Sequence, residues 1–138
     1  MNNTIISLLL LVFVLSSCEK EGIYTQPSLE ETNHLNSDLL KSGTFTPTHG
    51  ITVAGNAEIL RQNSDTYVRL VNFAITSGPD LKVYLSKRDF PSDFVNLGAL
   101  ENSRSSYQIP SGVDIDDFPF VLIHCQQYNH LFAVALLK

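Results

Sequence analysis

The chain has no tryptophan, one methionine and only two cysteines among its 138 residues. So few cysteines cannot build a dense cross-linked framework, and any folded part must rest on a hydrophobic core. Positive charge is also scarce: nine Lys and Arg stand against fourteen Asp and Glu, for a formal net charge of −5. No basic run or stripe occurs, which excludes a nucleic-acid surface of the usual electrostatic kind. There is no nucleotide-binding glycine loop, no CxxC pair, no His-x-x-x-His pair and no EF-hand loop. Ser105 and Ser106 lie in no nucleophile elbow. Beyond residue 41 no stretch carries a helical apolar stripe over three turns, so long amphipathic helices are excluded as well.

What is present begins with the apolar run Ile5 to Leu15, which closes on Leu15-Ser16-Ser17-Cys18. The run is too short to span a bilayer comfortably as a helix, and it ends in small residues, as a secretory signal does. Leu-Ser-Ser-Cys resembles a bacterial lipobox, in which the cysteine thiol is diacylated and the residue becomes the mature N-terminus. Met1 to Thr4 holds no Lys or Arg, and a plain secretory signal or an uncleaved anchor is the competing explanation. The lipobox divides the chain into a lipoprotein signal peptide (1–17), a polar tether (18–41) and a β domain (42–138). It implies an envelope protein held to the membrane by acyl chains such as palmitate on Cys18, at the outer membrane, facing the periplasm or the surface. Glu19-Lys20-Glu21 is similar to the sorting signals of surface-exposed bacterial lipoproteins. The tether is polar, with Pro27 and Glu30-Glu31, and a short helical turn is expected at Leu35 to Leu40.

From Ser42 onward short apolar or alternating runs recur at strand length: Thr44-Phe45, Ile51 to Ala54, Ala57 to Arg61, Tyr67 to Ala74, Leu81 to Ser86, Phe94 to Leu97 and Tyr107 to Ile109. Gly50, Gly55, Asn63-Ser64-Asp65, Gly78-Pro79-Asp80 and Pro110-Ser111-Gly112 punctuate them with turn chemistry. The fold class is therefore all-β, an antiparallel β-sandwich or barrel-like domain. Its last block, Phe118 to Lys138, places two β-rich runs around the polar tetrad Gln126 to Asn129, the pattern of a hairpin. With Cys125 opposite His130, strict alternation sets Ile123 against Phe132 and Val121 against Val134. Phe120, Leu122, Ala133 and Ala135 then occupy the other face. Both faces are apolar, which puts this hairpin in the middle of a sheet.

The hairpin also carries the candidate chemistry. If Cys18 is acylated, Cys125 has no intramolecular partner in an exported chain, and it is an inert buried thiol, a reactive thiol or a ligand to a metal or cofactor. A thiol reacts as its thiolate, which a neighbouring imidazolium favours and burial disfavours. His130 is the candidate thiolate partner, because directly opposed residues bring their Cβ atoms to about 4.5–5.5 Å. His124 points to the opposite face, and His49 before Gly50 reads as a turn residue. Asp114-x-Asp116-Asp117 offers carboxylates to a calcium ion or, more simply, a solvated turn capped by its own side chains.

From Ser42 to the C-terminus the chain resembles the DM13 domain family. The resemblance is carried by Ser42-Gly43-Thr44-Phe45, by His49-Gly50 with Val53-x-Gly55-x-Ala57, by Leu70-x-Asn72-Phe73 and by Gly78-Pro79-Asp80-Leu81-x-Val83-Tyr84-Leu85. Val95-x-Leu97-Gly98-x-Leu100, Tyr107-x-Ile109-Pro110 and Val121-x-Ile123-x-Cys125-x-x-Tyr128-Asn129-x-x-Phe132-x-x-Ala135 complete it. The resemblance implies a β-rich electron-transfer module whose signature cysteine acts as a naked thiol or binds a group such as haem. Cys125 matches that cysteine, so a haem or a redox partner protein is an implied companion. The residue before it, often aromatic in the family, is His124 here, and Arg104-Ser105-Ser106 replaces the glycine and amide common before the tyrosine. The alternative function is a non-catalytic binding or adhesion module that presents loops such as Lys87 to Ser92 or Glu101 to Ser106, with Cys125 as core filling. Either way a carrier or binding module is favoured over a stand-alone enzyme.

Overall fold

Turn residues cut the chain into strands at nearly the places where glycine, proline and asparagine fall. A computed structural model describes residues 23–25 and 37–138. The apolar run Ile5 to Leu15, Cys18, Glu19-Lys20-Glu21 and the Pro27 to Glu31 part of the tether lie outside them. The described strands are β1 (Ile23–Thr25), β2 (Ser37–Pro47), β3 (Val53–Gln62), β4 (Asp65–Thr76), β5 (Leu81–Ser86), β6 (Phe94–Ala99), β7 (Ser106–Ile109), β8 (Phe120–Cys125) and β9 (His130–Leu136). There is no helix among the described residues. Leu39 and Leu40, expected in a helical turn, instead lie in β2, where Leu39 pairs with Leu60 of β3. The long-range ladder prevails over weak local helical preference there.

All pairings are antiparallel, in the order β1-β4-β3-β2-β9-β8-β5-β6, with β7 also on β4. β7 pairs with Thr66 to Arg69 and β1 with Ala74 to Thr76, so the two share one edge of β4. β6, the last strand of the order, comes up beside β7 without pairing with it. The sheet is thus a nearly closed barrel, the barrel-like form of the expected all-β class.

β2 joins the two halves of the barrel. Its residues Ser37 to Thr44 pair with β3, and Phe45 to Pro47 pair with β9. Ser42 and Lys138 exchange backbone hydrogen bonds of 3.1 and 2.9 Å beside that crossing. A side chain at Gly43 would run into the Leu136 carbonyl, which is why glycine stands where β2 passes β9. A second kink lies between β3 and β4. Gly55 has φ +102°, and a Cβ there would sit 2.6 Å from the Val71 carbonyl oxygen. Opposite it Asn72 takes φ 49°, a left-handed conformation that asparagine tolerates better than most residues. Across this double irregularity β4 changes the parity of its inward positions, from Val68 and Leu70 to Phe73 and Ile75. A bulge that re-aims the following side chains is the usual cause of such a switch.

The interior is filled by Ile59, Val68, Phe73, Leu85, Tyr107 and Ile123, all without solvent exposure, together with smaller inward residues. Phe45 meets Phe73 edge to face with ring centroids 5.0 Å apart. One end of the barrel carries the 48–52 connection, the 77–80 loop and the β8–β9 turn. The other carries the Asn63-Ser64 turn, the 87–93 loop and the 110–119 segment. In that last segment Asp114 caps its own turn by accepting the Asp116 amide at 3.0 Å, while Asp116 pairs with Lys41 and Asp117 with Lys87. The three carboxylates are dispersed as the turn expectation has it.

Candidate functional site

The β8–β9 hairpin lies between β5 and β2, in the middle of the sheet as its two apolar faces predict. Gln126 to Asn129 form the turn. The Gln126 amide donates to the Asp80 carbonyl at 3.0 Å, the Asn129 amide donates to the Gln126 carbonyl at 3.3 Å, and Asn129 has φ 48°. Cys125 stands directly opposite His130 on one side and Leu81 on the other.

Two positions further in, the pairing departs from strict alternation. Ile123 pairs with Ala133 and His124 with Leu131, so Phe132 is an extra residue in β9. Val121 consequently meets Ala135 rather than Val134. The expected partners Ile123–Phe132 and Val121–Val134 are corrected by this bulge. It turns Phe132, Ala133 and Ala135 inward together and leaves Val134 only half-buried. Packing explains the choice: Ala135 lies opposite Phe45, whose ring already meets Phe73, and a methyl group leaves room that a valine would fill. Thr48 holds the bulge in place. Its hydroxyl donates to the Leu131 carbonyl at 2.6 Å and its amide to the Phe132 carbonyl at 2.9 Å.

Cys125 is a free thiol and has no solvent-exposed surface. It belongs to the core with Ile123, Val121, Phe132 and Ala133. The exposed His130 ring packs edge-on against Phe132 at 5.4 Å, and no hydrogen bond links it to the thiol. Because Cys125, Ile123 and Ala133 are all fully closed, the thiol faces packed side chains rather than a space that a planar macrocycle could enter. A haem ligated through Cys125 does not fit this arrangement.

His124 lies on the opposite face, as alternation predicts, yet it is only 5% exposed. Its ring stacks on Tyr84 at 5.3 Å, and Tyr84 stacks on Phe94 at 4.1 Å, so three rings cross β8, β5 and β6 in a row. Burial pushes its pKa down, against a hydrogen bond to the Asn129 side chain, as acceptor, that raises it, and the nearby His130 pushes it down further. The imidazole is therefore neutral at pH 7, and its Nδ1 is buried with no hydrogen-bond partner. Tyr84 has its own pKa raised by burial, with Lys82 opposing and Asp80 reinforcing the shift. The ring row escapes sequence inspection because it joins separate strands. The only local signals are the aromatic positions Tyr84 and Phe94.

This domain matches the family model described as Electron transfer DM13 over residues 44–137. The chain belongs to the DM13 family. No curated protein and no solved structure matches it. The family's motif residues acquire physical roles here: Gly55 and Asn72 make the β3–β4 kink, Gly43 allows β2 to pass β9, and Tyr107 organises the loop before it. The Tyr107 hydroxyl donates to the Arg104 carbonyl at 3.2 Å and accepts the Glu101 amide at 3.4 Å, with the Arg104 guanidinium 4.5 Å above its ring. The Arg104-Ser105-Ser106 departure thus lies where the loop wrapped around Tyr107 enters β7.

Proposed function

We propose that this DM13 domain is an electron-transfer module of the cell envelope, anchored through acylated Cys18, and that it works by thiol–disulfide exchange at Cys125. The observation that carries the reading is the position of a free thiol immediately before an exposed turn, with an imidazole opposite it. Exchange needs the turn to open, since the closed thiol offers no access. The Cys125 thiolate then attacks one sulfur of a partner disulfide, a new Cys125–S–S–partner bond forms, and the other partner sulfur leaves as thiolate. His130 takes the thiol proton in the opened state. A thiol from a partner resolves the mixed disulfide, because the acylated Cys18 cannot.

Iodoacetamide rates against pH, on the folded domain with and without His130→Ala, test the thiol. The reading expects alkylation under native conditions and a slower reaction in the variant near neutral pH. Acylation is tested separately: Cys18→Ser is expected to abolish incorporation of labelled palmitate and to leave an unprocessed precursor.

A second reading is favoured by the complete burial of Cys125. In it the cysteine is core filling, and the domain binds a ligand through the 87–92 and 101–106 loops. Alkylation only on global unfolding, with Cys125→Ala costing no more than packing stability, would select it.

A further inference from the structure

The placement of β1 orients the domain. β1 enters at Ile23, which pairs with Thr76, the last residue of β4, and it runs inward to Thr25 opposite Ala74. Thr76 lies at the barrel end that also carries the 48–52 connection, where Thr76 and Thr52 bond through backbone and hydroxyl. The β8–β9 turn is on that same end. Only five residue steps separate Cys18 from Ile23, so whatever their conformation they reach at most about 18 Å. An acyl chain on Cys18 therefore keeps this end, and not the other, close to the lipid.

The chemistry of the two ends fits that orientation. The β8–β9 tip presents Gln126, Gln127, Tyr128 and Asn129, all exposed and uncharged, and Tyr128 is 68% exposed. Ser77, Gly78 and Pro79 beside it are also uncharged. The charges nearest this end come in both signs: Asp80 is paired with Lys82 at 2.7 Å, and Glu101 shares its loop with Arg104. The opposite end is rich in charge, with Lys87, Arg88, Asp89, Asp114, Asp116 and Asp117 in its loops. Laying this end, whose few charges are balanced in sign, on headgroups desolvates little charge, and an exposed tyrosine, apolar in its ring and polar at its tip, suits that layer. We propose that the barrel end bearing the β8–β9 turn rests on the bilayer surface, with Tyr128 seated among the lipid headgroups. This rests on acylation of Cys18. It places the Cys125 rim at the membrane, so that a redox partner meets it there rather than in bulk solvent.

The chain lacks tryptophan, so a single introduced tryptophan reports alone. Tyr128→Trp and Ser64→Trp mark opposite ends, since the twelve residues of β4 span about 40 Å along the strand. Full-length acylated protein of each variant is reconstituted in phosphatidylcholine vesicles with brominated acyl chains. The expected result is loss of emission from Tyr128→Trp and none from Ser64→Trp. Gln127→Trp, at the same tip, replaces the first reporter if Tyr128→Trp melts early. Quenching at Ser64→Trp instead, or at neither site in acylated protein that floats with the vesicles, overturns the orientation alone. A mass spectrum showing no acyl chain on Cys18 overturns the anchor and the orientation with it.

Discussion

Gly55 combines two demands that no other residue meets together. Its φ of +102° strains any side chain, and a Cβ would meet three backbone atoms of β4 within 2.7 Å. Gly55→Ala is expected to cost about 1–3 kcal/mol from backbone strain alone, with the clash adding to it. Urea unfolding of the variant against wild type measures this, and an unchanged midpoint would refute the account. His124 makes a different prediction. Its folded pKa lies below the unfolded value of 6.5, chiefly through burial. The unfolded chain therefore binds the proton more readily, and stability falls as pH drops below that unfolded value, levelling only once the folded imidazole also protonates. His124→Phe removes the buried unpartnered Nδ1 and keeps a ring against Tyr84. Urea midpoints measured at pH 7.5 and pH 5.5 are expected to differ less in the variant than in wild type. An equal difference in both would mean that His124 is not the group responsible.

At the level of elements, Thr48 clasps the bulge of the β8–β9 hairpin. Thr48→Val keeps the β-branched shape and removes the hydroxyl bond to the Leu131 carbonyl. A lost hydrogen bond of this kind costs about 1 kcal/mol, and if Cys125 becomes accessible by local opening, its alkylation should speed up about five-fold. No change in rate, with global stability lowered by the same amount, would place access elsewhere. The same hairpin shows what the chain makes legible and what it hides. Its existence, its central place and the Cys125–His130 pairing follow from a polar tetrad between two β-rich runs. The Phe132 bulge does not, because Leu131 to Ala135 is apolar at every position and carries no alternation from which a one-residue insertion could be read. Its cause sits some ninety residues away in Phe45 and Thr48. Nor could the burial of His124 be read locally, since Tyr84 covers its ring from another strand. Gly55, by contrast, stands out in sequence, although its partner Asn72 acquires meaning only when the two strands are aligned.

The molecule as a whole is closed by contacts distant in sequence. β2 pairs with β9, and Ser42 bonds Lys138 across nearly the full length of the domain. Such topology folds slowly, because the loop-closure entropy must be spent before the contacts that offset it are made. Stopped-flow refolding followed by far-ultraviolet circular dichroism should give a main phase in the millisecond-to-second range. Completion within microseconds would contradict the barrel closure described here. The three residue pairs that fasten β1 to β4 have a mechanical consequence. They form the shortest ladder on β4, and β1 lies along a pull applied at Ile23, so it is loaded in shear ahead of the barrel. With the acyl chain proposed on Cys18, the domain hangs on the five steps from Cys18 to Ile23 until this ladder fails. Once it fails, the next described strand is β2, and the chain from Cys18 to Ser37 reaches at most about 65 Å at full extension. On the proposed anchor, a tug that parts β1 from β4 thus turns a docked body into a ranging one while β2 to β9 stay paired.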